Sequence, residues 1–222
     1  MTISVVIPTL NEQGAVAAAI ASVRGDAAEI LVVDGGSEDE TCAEAAAAGA
    51  TVMAASRGRG AQLAHGARRA SGDWLLFLHA DTRLEAGWAE ALRALDAGVA
   101  GGAFRFAVDS PRTVFRAIEI GVRLRCALLR LPYGDQALFA RREAYAACGG
   151  FPPLPLMEDV AFVRRLRRTG RLAFPHPRAF TSARRWERDG ILATTFTHLR
   201  LLSLYAAGRS PERLARPSKE AS

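Results

Sequence analysis

Three acidic stretches in this chain have the residue types and positions to do chemistry. The first is Asp34, which follows Ile30-Leu31-Val32-Val33 and precedes Gly35-Gly36-Ser37. A carboxylate just beyond a buried strand can accept hydrogen bonds from a base or a ribose, and adjacent glycines let a ligand approach the backbone. The second is His79-Ala80-Asp81, after the apolar run Trp74-Leu75-Leu76-Phe77-Leu78. A carboxylate there can hold a divalent cation against a diphosphate. The third is Glu158-Asp159, between a proline-rich loop and a polar helix. One of these acids could take the proton from an attacking hydroxyl. Each stretch also has a plainer explanation. Asp34 can be a turn residue with Ser37 or Asp39 as a helix cap, Asp81 can serve turn chemistry, and acids at a helix N-terminus are favoured by the dipole.

The segments that must position these acids alternate between strand-like and helix-like patterns. Residues 3–8 form a β-branched run ended by Pro8, and residues 29–33, 51–54 and 74–78 read as further strands. Between them, residues 11–23 form an alanine-rich helix with Asn11 at its N-cap, a second helix runs to Ala48 and closes at Gly49, and a third covers 59–70. The run 74–78 is the most hydrophobic of this half, which predicts a central strand. Repeated βα units imply an α/β fold: a doubly wound, mostly parallel sheet flanked by helices, with ligands at the strands' carboxyl ends. Two of the three acidic stretches, those at Asp34 and at His79-Ala80-Asp81, fall directly at such ends.

The second half is less regular. Residues 101–108 and 137–141 read as strands, 113–129, 159–168 and 191–207 as helices, and 149–156 as a loop. No repeat or linker divides the chain, so one domain is expected over 1–209, with a ligand-binding half (1–108), a smaller mixed half (109–209) and a flexible tail (210–222).

Composition narrows the function classes. Of 222 residues, half are hydrophobic and 23% are charged, which excludes a disordered or fibrous chain. Cys42, Cys126 and Cys148 are far apart and odd in number, so neither a disulfide framework nor a Cys-x-x-Cys metal pair is expected. The net charge of +6 favours anionic partners, yet no zinc-finger spacing or aromatic–basic strand is present, and nucleic acid is not expected. No basic leader precedes a long apolar run, and the best apolar stretch, 191–207, is interrupted by His198 and Arg200. A cytoplasmic protein is expected. Residues 194–204, apolar with arginines nearby, either pack on the core or touch the inner membrane face.

The order of the motifs is more specific than any one of them. Val5-Val6-Ile7-Pro8-Thr9-Leu10-Asn11-Glu12, then Val32-Val33-Asp34-Gly35-Gly36-Ser37-x-Asp39-x-Thr41, Arg59-Gly60-x-Gln62-Leu63-x-x-Gly66, Leu78-His79-Ala80-Asp81-Thr82 and Glu158-Asp159 follow one another along the chain. In this series the sequence resembles the inverting family 2 glycosyltransferases of the GT-A fold, over about residues 3–186. The resemblance implies transfer of a sugar from a nucleotide-diphosphate donor, a UDP-sugar, to a small-molecule or lipid-linked acceptor hydroxyl. It implies that Pro8, Thr9, Asn11 and Glu12 line the nucleotide pocket, with Asp34 and Gly35 on the uracil or ribose side. Asp81 is then the ligand of Mg2+ or Mn2+ and Asp159 the catalytic base, with Glu158 beside it. His79 departs from the family pattern, standing where its first metal-site acid would be. Asp135 and Gln136 occupy the acceptor-side position, where a plain turn is an equal reading. Arg59, Gly60, Arg184, Arg185 and Trp186 are further donor-site candidates, the arginines as guanidinium forks for the diphosphate. Leu-His-Ala-Asp-Thr, Tyr-Gly-Asp-Gln and Ser-x-Arg-Arg-Trp resemble, more narrowly, a compact subgroup associated with arsenosugar biosynthesis. A catalytically silent scaffold of the same fold is the alternative from another class, and donor hydrolysis dependent on Asp81 and Asp159 separates the two.

Overall fold

The β-branched and apolar runs of the first half become the middle of a seven-stranded sheet. The structure, a computed structural model, describes residues 1–215. Strand β1 (Ile3–Thr9) is followed by α1 (Val16–Ala21), β2 (Glu29–Asp34), α2 (Thr41–Ala47), β3 (Thr51–Ala54), α3 (Arg59–Arg69) and β4 (Trp74–Phe77). Then come β5 (Thr82–Leu84), α4 (Trp88–Arg93), β6 (Val99–Ala103), β7 (Arg105–Asp109), α5 (Val114–Leu129), a 3-10 turn (Gly134–Gln136) and β8 (Leu138–Arg141). The described chain ends with α6 (Arg142–Ala147), α7 (Glu158–Leu166), β9 (Arg171–Ala173), β10 (Arg178–Ser182), α8 (Arg184–Asp189), α9 (Ile191–Ala206) and α10 (Pro211–Leu214). The tail expected from residue 210 thus begins with a helical turn, and its residues 216–222 lie outside the described residues.

The large sheet has the order β3-β2-β1-β4-β8-β6-β9, so β4 takes the expected central place. Strands β3, β2, β1 and β4 are parallel, β8 runs antiparallel to both its neighbours, and β9 is parallel to β6. Side chains of alternate residues go to opposite faces. Val5, Ile7, Trp74 and Leu76 pack with Ile20 of α1 and Trp88 and Leu92 of α4. Val6, Leu75 and Phe77 pack with Leu63 and Ala67 of α3 and Phe162, Val163 and Leu166 of α7. The result is the helix–sheet–helix layering expected for an α/β fold.

A second sheet of three strands, β5-β10-β7, carries its own core of Phe106, Val108, Phe115, Ala183 and Trp186. This corrects the reading of 101–108 as one strand. The chain leaves the large sheet after Ala103 and enters the small one at Arg105. Phe104 is fully buried at the switch, its N–H donating to the Gln136 carbonyl at 2.9 Å. Asn11 is also corrected: α1 starts at Val16, and Asn11 instead adopts φ 53° in the preceding turn, a conformation asparagine tolerates. Its N–H donates to Ser37 Oγ, and its Oδ1 accepts from the Glu38 N–H, both at 2.9 Å. Asp39 Oδ1 accepts from the Thr41 N–H at 3.1 Å, tying the start of α2 as a cap would. In α9, Leu202 and Tyr205 pack against the second core while Phe196 and Leu199 protrude. Among the described residues no helix is long and apolar enough to cross a membrane.

Helix α3 lies directly on β1 and β2 because Gly66 has no side chain. A Cβ there would collide with Val6 Cγ1 and approach Val33 Cγ2 to 3.0 Å. Gly66→Ala is therefore expected to destabilise the protein by about 1–3 kcal/mol in urea titrations, although alanine is the better helix former.

Candidate active site

Three parallel strands end side by side, and the residues beyond them meet. Thr9 closes β1, Asp34 closes β2, and His79 to Asp81 follow β4. Gln62, buried on α3, braces the first two ends: its Nε2 donates to the carbonyls of Thr9 and Val33, each at 2.8 Å. Gly35 leaves room for that amide, since a Cβ would stand 3.1 Å from Gln62 Nε2. Asp34 Oδ1 accepts from the Thr9 hydroxyl at 3.0 Å and the Ser37 hydroxyl at 2.5 Å, and Oδ2 from the Gly36 and Ser37 N–H groups at 2.8 Å. Burial opposes its ionisation, but the hydrogen bonds from Ser37, Gly36 and Thr9 outweigh it and lower its pKa. The two hydroxyls are donors that can rotate away, whereas the backbone N–H groups are fixed.

Beyond these ends opens a cleft of about 350 Å³. Of the residues singled out from sequence, Arg59, His79, Asp81, Asp135, Asp159, Arg185 and Trp186 line it. Asp159 is the second residue of α7, where Oδ2 accepts from the Gly134 N–H at 2.9 Å and Oδ1 from the Val160 N–H at 2.8 Å. Its neighbour Glu158 is 1% exposed and turned away from the cleft into an ion pair with Arg59 Nε. Gly60 makes this approach possible, since a Cβ would lie 2.5 Å from the Pro152 carbonyl and 3.2 Å from Glu158 Cβ.

The cleft's charges are unevenly compensated. Burial, then the charges of Arg59 and Arg185, push the His79 pKa down to about 3, so the imidazole is neutral. Burial, opposed by Arg125 and reinforced by Asp159, pushes the Asp135 pKa up to about 6. Asp135 Oδ1 is buried with no hydrogen-bond partner among the described residues. The Asp81 carboxylate carries one weak contact, from the Thr82 hydroxyl at 3.4 Å. Among the described residues no group of three or more His, Cys, Asp or Glu side chains could hold a metal ion. Asp81 nevertheless suits a hard cation, because Mg2+ is commonly held by one or two carboxylates with phosphate and water oxygens completing the shell.

Other candidates stand at the rim or behind the wall. Glu12 Oε2 accepts from Arg184 Nη2 at 2.8 Å, so the ion pair joins the loop after β1 to α8. Burial raises the Glu12 pKa, and Arg184 offsets part of that effect. Pro8 and Asn11 flank this loop without lining the cleft. Arg185 lines the cleft, and its side chain has neither an ion pair nor a hydrogen bond among the described residues. Trp186 is shared between the cleft and the small-sheet core, edge-on to Phe115 at 6.0 Å and Phe106 at 6.2 Å. Gln136 points away from Asp135: its Oε1 accepts from Arg125 at 3.0 Å and from the Tyr133 N–H at 3.2 Å, and its Nε2 donates to the Phe104 carbonyl at 3.2 Å. Sequence reasoning passed over Tyr133, Thr181, Leu201 and Leu202, which also line the cleft. Tyr133, next to the Gly134-Asp135-Gln136 motif, was the one with a signal within reach.

Residues 4–151 match the family described as Glycosyl transferase family 2. No curated protein sequence matches the chain. Among solved structures it is similar to glucosyl-3-phosphoglycerate synthase from Mycobacterium tuberculosis in complex with Mn2+, UDP and glucosyl-3-phosphoglycerate. That match has 24% identity over 78% of this chain and 68% of that one, at a TM-score of 0.58. The same enzyme with Mn2+, UDP-glucose and phosphoglyceric acid matches at 23% identity, over 78% and 68% of the two chains, at a TM-score of 0.55. A further mycobacterial protein, at 24% identity and a TM-score of 0.56, matches over 82% of this chain and 65% of its own. These likenesses establish the GT-A fold, and the family match over most of the sequence establishes that the chain belongs to glycosyltransferase family 2.

Proposed function

We propose that the protein is an inverting glycosyltransferase that moves a sugar from a UDP-sugar to an acceptor hydroxyl. The observation that carries the reading is that Asp159 and Asp81 line one cleft, the first held by two backbone N–H groups and the second almost free of internal partners. The known contents of the mycobacterial synthase structures, UDP or UDP-glucose with Mn2+, support the choice of donor and metal.

On this reading the first half of the chain receives the donor and the second half the acceptor. Pro8, Thr9, Glu12, Asp34 and Gly35 take the nucleoside, and Asp81 would hold Mg2+ or Mn2+ beside the diphosphate. When bound, the cation neutralises charge building on the departing diphosphate. Arg185, with a guanidinium not engaged elsewhere, receives a diphosphate oxygen, and Arg184 joins it if its pair with Glu12 opens. Asp159 removes the proton from the acceptor hydroxyl as its oxygen bonds to the anomeric carbon. The bond from that carbon to the diphosphate oxygen breaks, its electron pair leaves with UDP, and the configuration inverts. The two N–H donors at Asp159 fix the orientation of the carboxylate before the acceptor arrives. Asp135, which lines the same cleft and has a buried oxygen without a partner among the described residues, binds a sugar or acceptor hydroxyl. His79 fits its place only as a neutral hydrogen-bonding group, adding no charge beside Asp81.

UDP release from a panel of UDP-sugars with Mn2+ tests the reading. Asp159→Asn is expected to lower turnover about 10²- to 10⁴-fold while UDP with Mn2+ still raises the melting temperature as in the parent protein. Asp81→Asn should lose the Mn2+-dependent part of that rise. A chain that neither releases UDP nor is stabilised by any nucleotide at millimolar concentration would be a scaffold instead. Stability against acid gives a separate check in metal-free protein. Because His79 titrates at about 3 when folded and near its ordinary 6.5 when unfolded, the unfolded state binds the extra proton below 6.5. Stability should therefore fall as pH drops from 6.5 toward 3, and His79→Asn should flatten that limb in urea titrations.

A further inference from the structure

Helix α5 buries only one edge. Phe115 and Cys126 are its buried side chains, with Ile118 and Val122 packed beside Phe115 against the small-sheet core. On the opposite side Ala117, Ile120, Gly121, Leu124, Ala127 and Leu128 recur at three- and four-residue spacing, and all are exposed. That spacing places them in one stripe down the helix, uninterrupted by any charge. Ile120 is 49% exposed, Leu124 54% and Leu128 79%. A helix facing only water has the reverse pattern, and a contiguous apolar stripe of this kind marks a contact surface.

The borders of the stripe are basic. Residues 112–130 hold Arg112, Arg116, Arg123, Arg125 and Arg130 against the single acid Glu119. Arg116 is paired with Glu119, Arg125 lies over the Tyr133 ring at 3.5 Å, and Arg130 donates to the Leu172 carbonyl. The Arg123 side chain has neither an ion pair nor a hydrogen bond among the described residues, and neither has the side chain of Arg105 of β7. These two uncommitted guanidiniums line one cleft of about 510 Å³, and Ile120 and Ala127 of the stripe form part of the same wall.

We propose that α5 is a docking face for an anionic lipid bilayer. The stripe enters the boundary between headgroups and acyl chains, and Arg105 and Arg123 receive lipid phosphates at its edge. Charge complementarity selects this occupant. A second copy on the same face would set five arginines against five, with one glutamate on each side. Residues 216–222, Arg-Pro-Ser-Lys-Glu-Ala-Ser, contain no large apolar side chain to cover the stripe. The surface differs from the one the sequence suggested, 194–204, where Leu202 is committed to the core. It stands independently of the reaction assigned to the cleft.

Co-sedimentation of the full chain with vesicles tests the proposal, comparing phosphatidylcholine alone with phosphatidylcholine mixed with phosphatidylglycerol. Binding is expected to the mixed vesicles only and to weaken as salt is raised. The double substitution Leu124→Asp, Leu128→Asp should lower partitioning about tenfold or more, and Arg123→Ala about fivefold. All three positions are exposed, so an unchanged melting temperature confirms that the variants fold. No binding to either vesicle, or equal binding to both, overturns the proposal. A concentration-dependent dimer in sedimentation velocity that Leu128→Asp abolishes also overturns it, and assigns the stripe to a second copy.

Discussion

The hydrogen bond from the Gly134 N–H to Asp159, 2.9 Å long, is the constraint on which the geometry of the cleft depends. It ties the start of α7 to the short turn between α5 and β8, so two segments with no sheet pairing between them hold one carboxylate in place. Only glycine fits at the donor position, because a Cβ would stand 2.8 Å from His79 Nε2. The turn is itself triangulated. Gln136 binds Phe104, Tyr133 and Arg125, and Ala137 takes a left-handed φ of 49° to feed the chain back into β8. Met157, just before Glu158, is likewise left-handed at φ 62°. Non-glycine residues hold such conformations only when the surrounding packing over-determines them.

The same packing sets the electrostatics. Glu158 is buried but neutralised by Arg59, and Asp159 is the member of the acidic pair that lines the cleft. Burial leaves His79 uncharged and raises the Asp135 pKa to about 6, so the Asp135 charge is held less firmly than that of an ordinary aspartate. On the proposed reading this arrangement is matched to a ligand that brings its own charges, a diphosphate with a divalent cation. Asp34 differs from these groups, since four internal donors stabilise its charge before any ligand arrives.

Strands β1, β2 and β4 were legible because each is an apolar run buried along nearly its whole length, a pattern that survives without tertiary information. Strands β5, β9 and β10 were not. They are three to five residues long and contain Arg83, Arg171 and Arg178, and their pairing partners lie far away in sequence. The break at Phe104 leaves no mark in the sequence, since the residues on either side of it are equally strand-like and only the destination sheet changes. The acids of the site were found from their positions after strands and before α7, but their states were not. Nothing local distinguishes Asp135, which faces the cleft, from Gln136, which faces the other way. Gln62 was visible as one letter of the Arg-Gly-x-Gln pattern; its task of bracing two carbonyls appears only once α3 lies across β1 and β2.

Strand β10 sits between β5 and β7, pairing with residues 82–84 on one side and 105–109 on the other. Its Thr181 and Ser182 line the cleft, and two residues later Arg184 reaches across 172 positions to Glu12. During synthesis the parallel half of the large sheet can pair as soon as β4 has emerged from the ribosome, because its neighbours β1 to β3 are already made. The small sheet cannot close until residue 182 has followed, since its middle strand is the last to arrive. A polypeptide released before that point therefore lacks one wall of the cleft, whatever the first half has achieved.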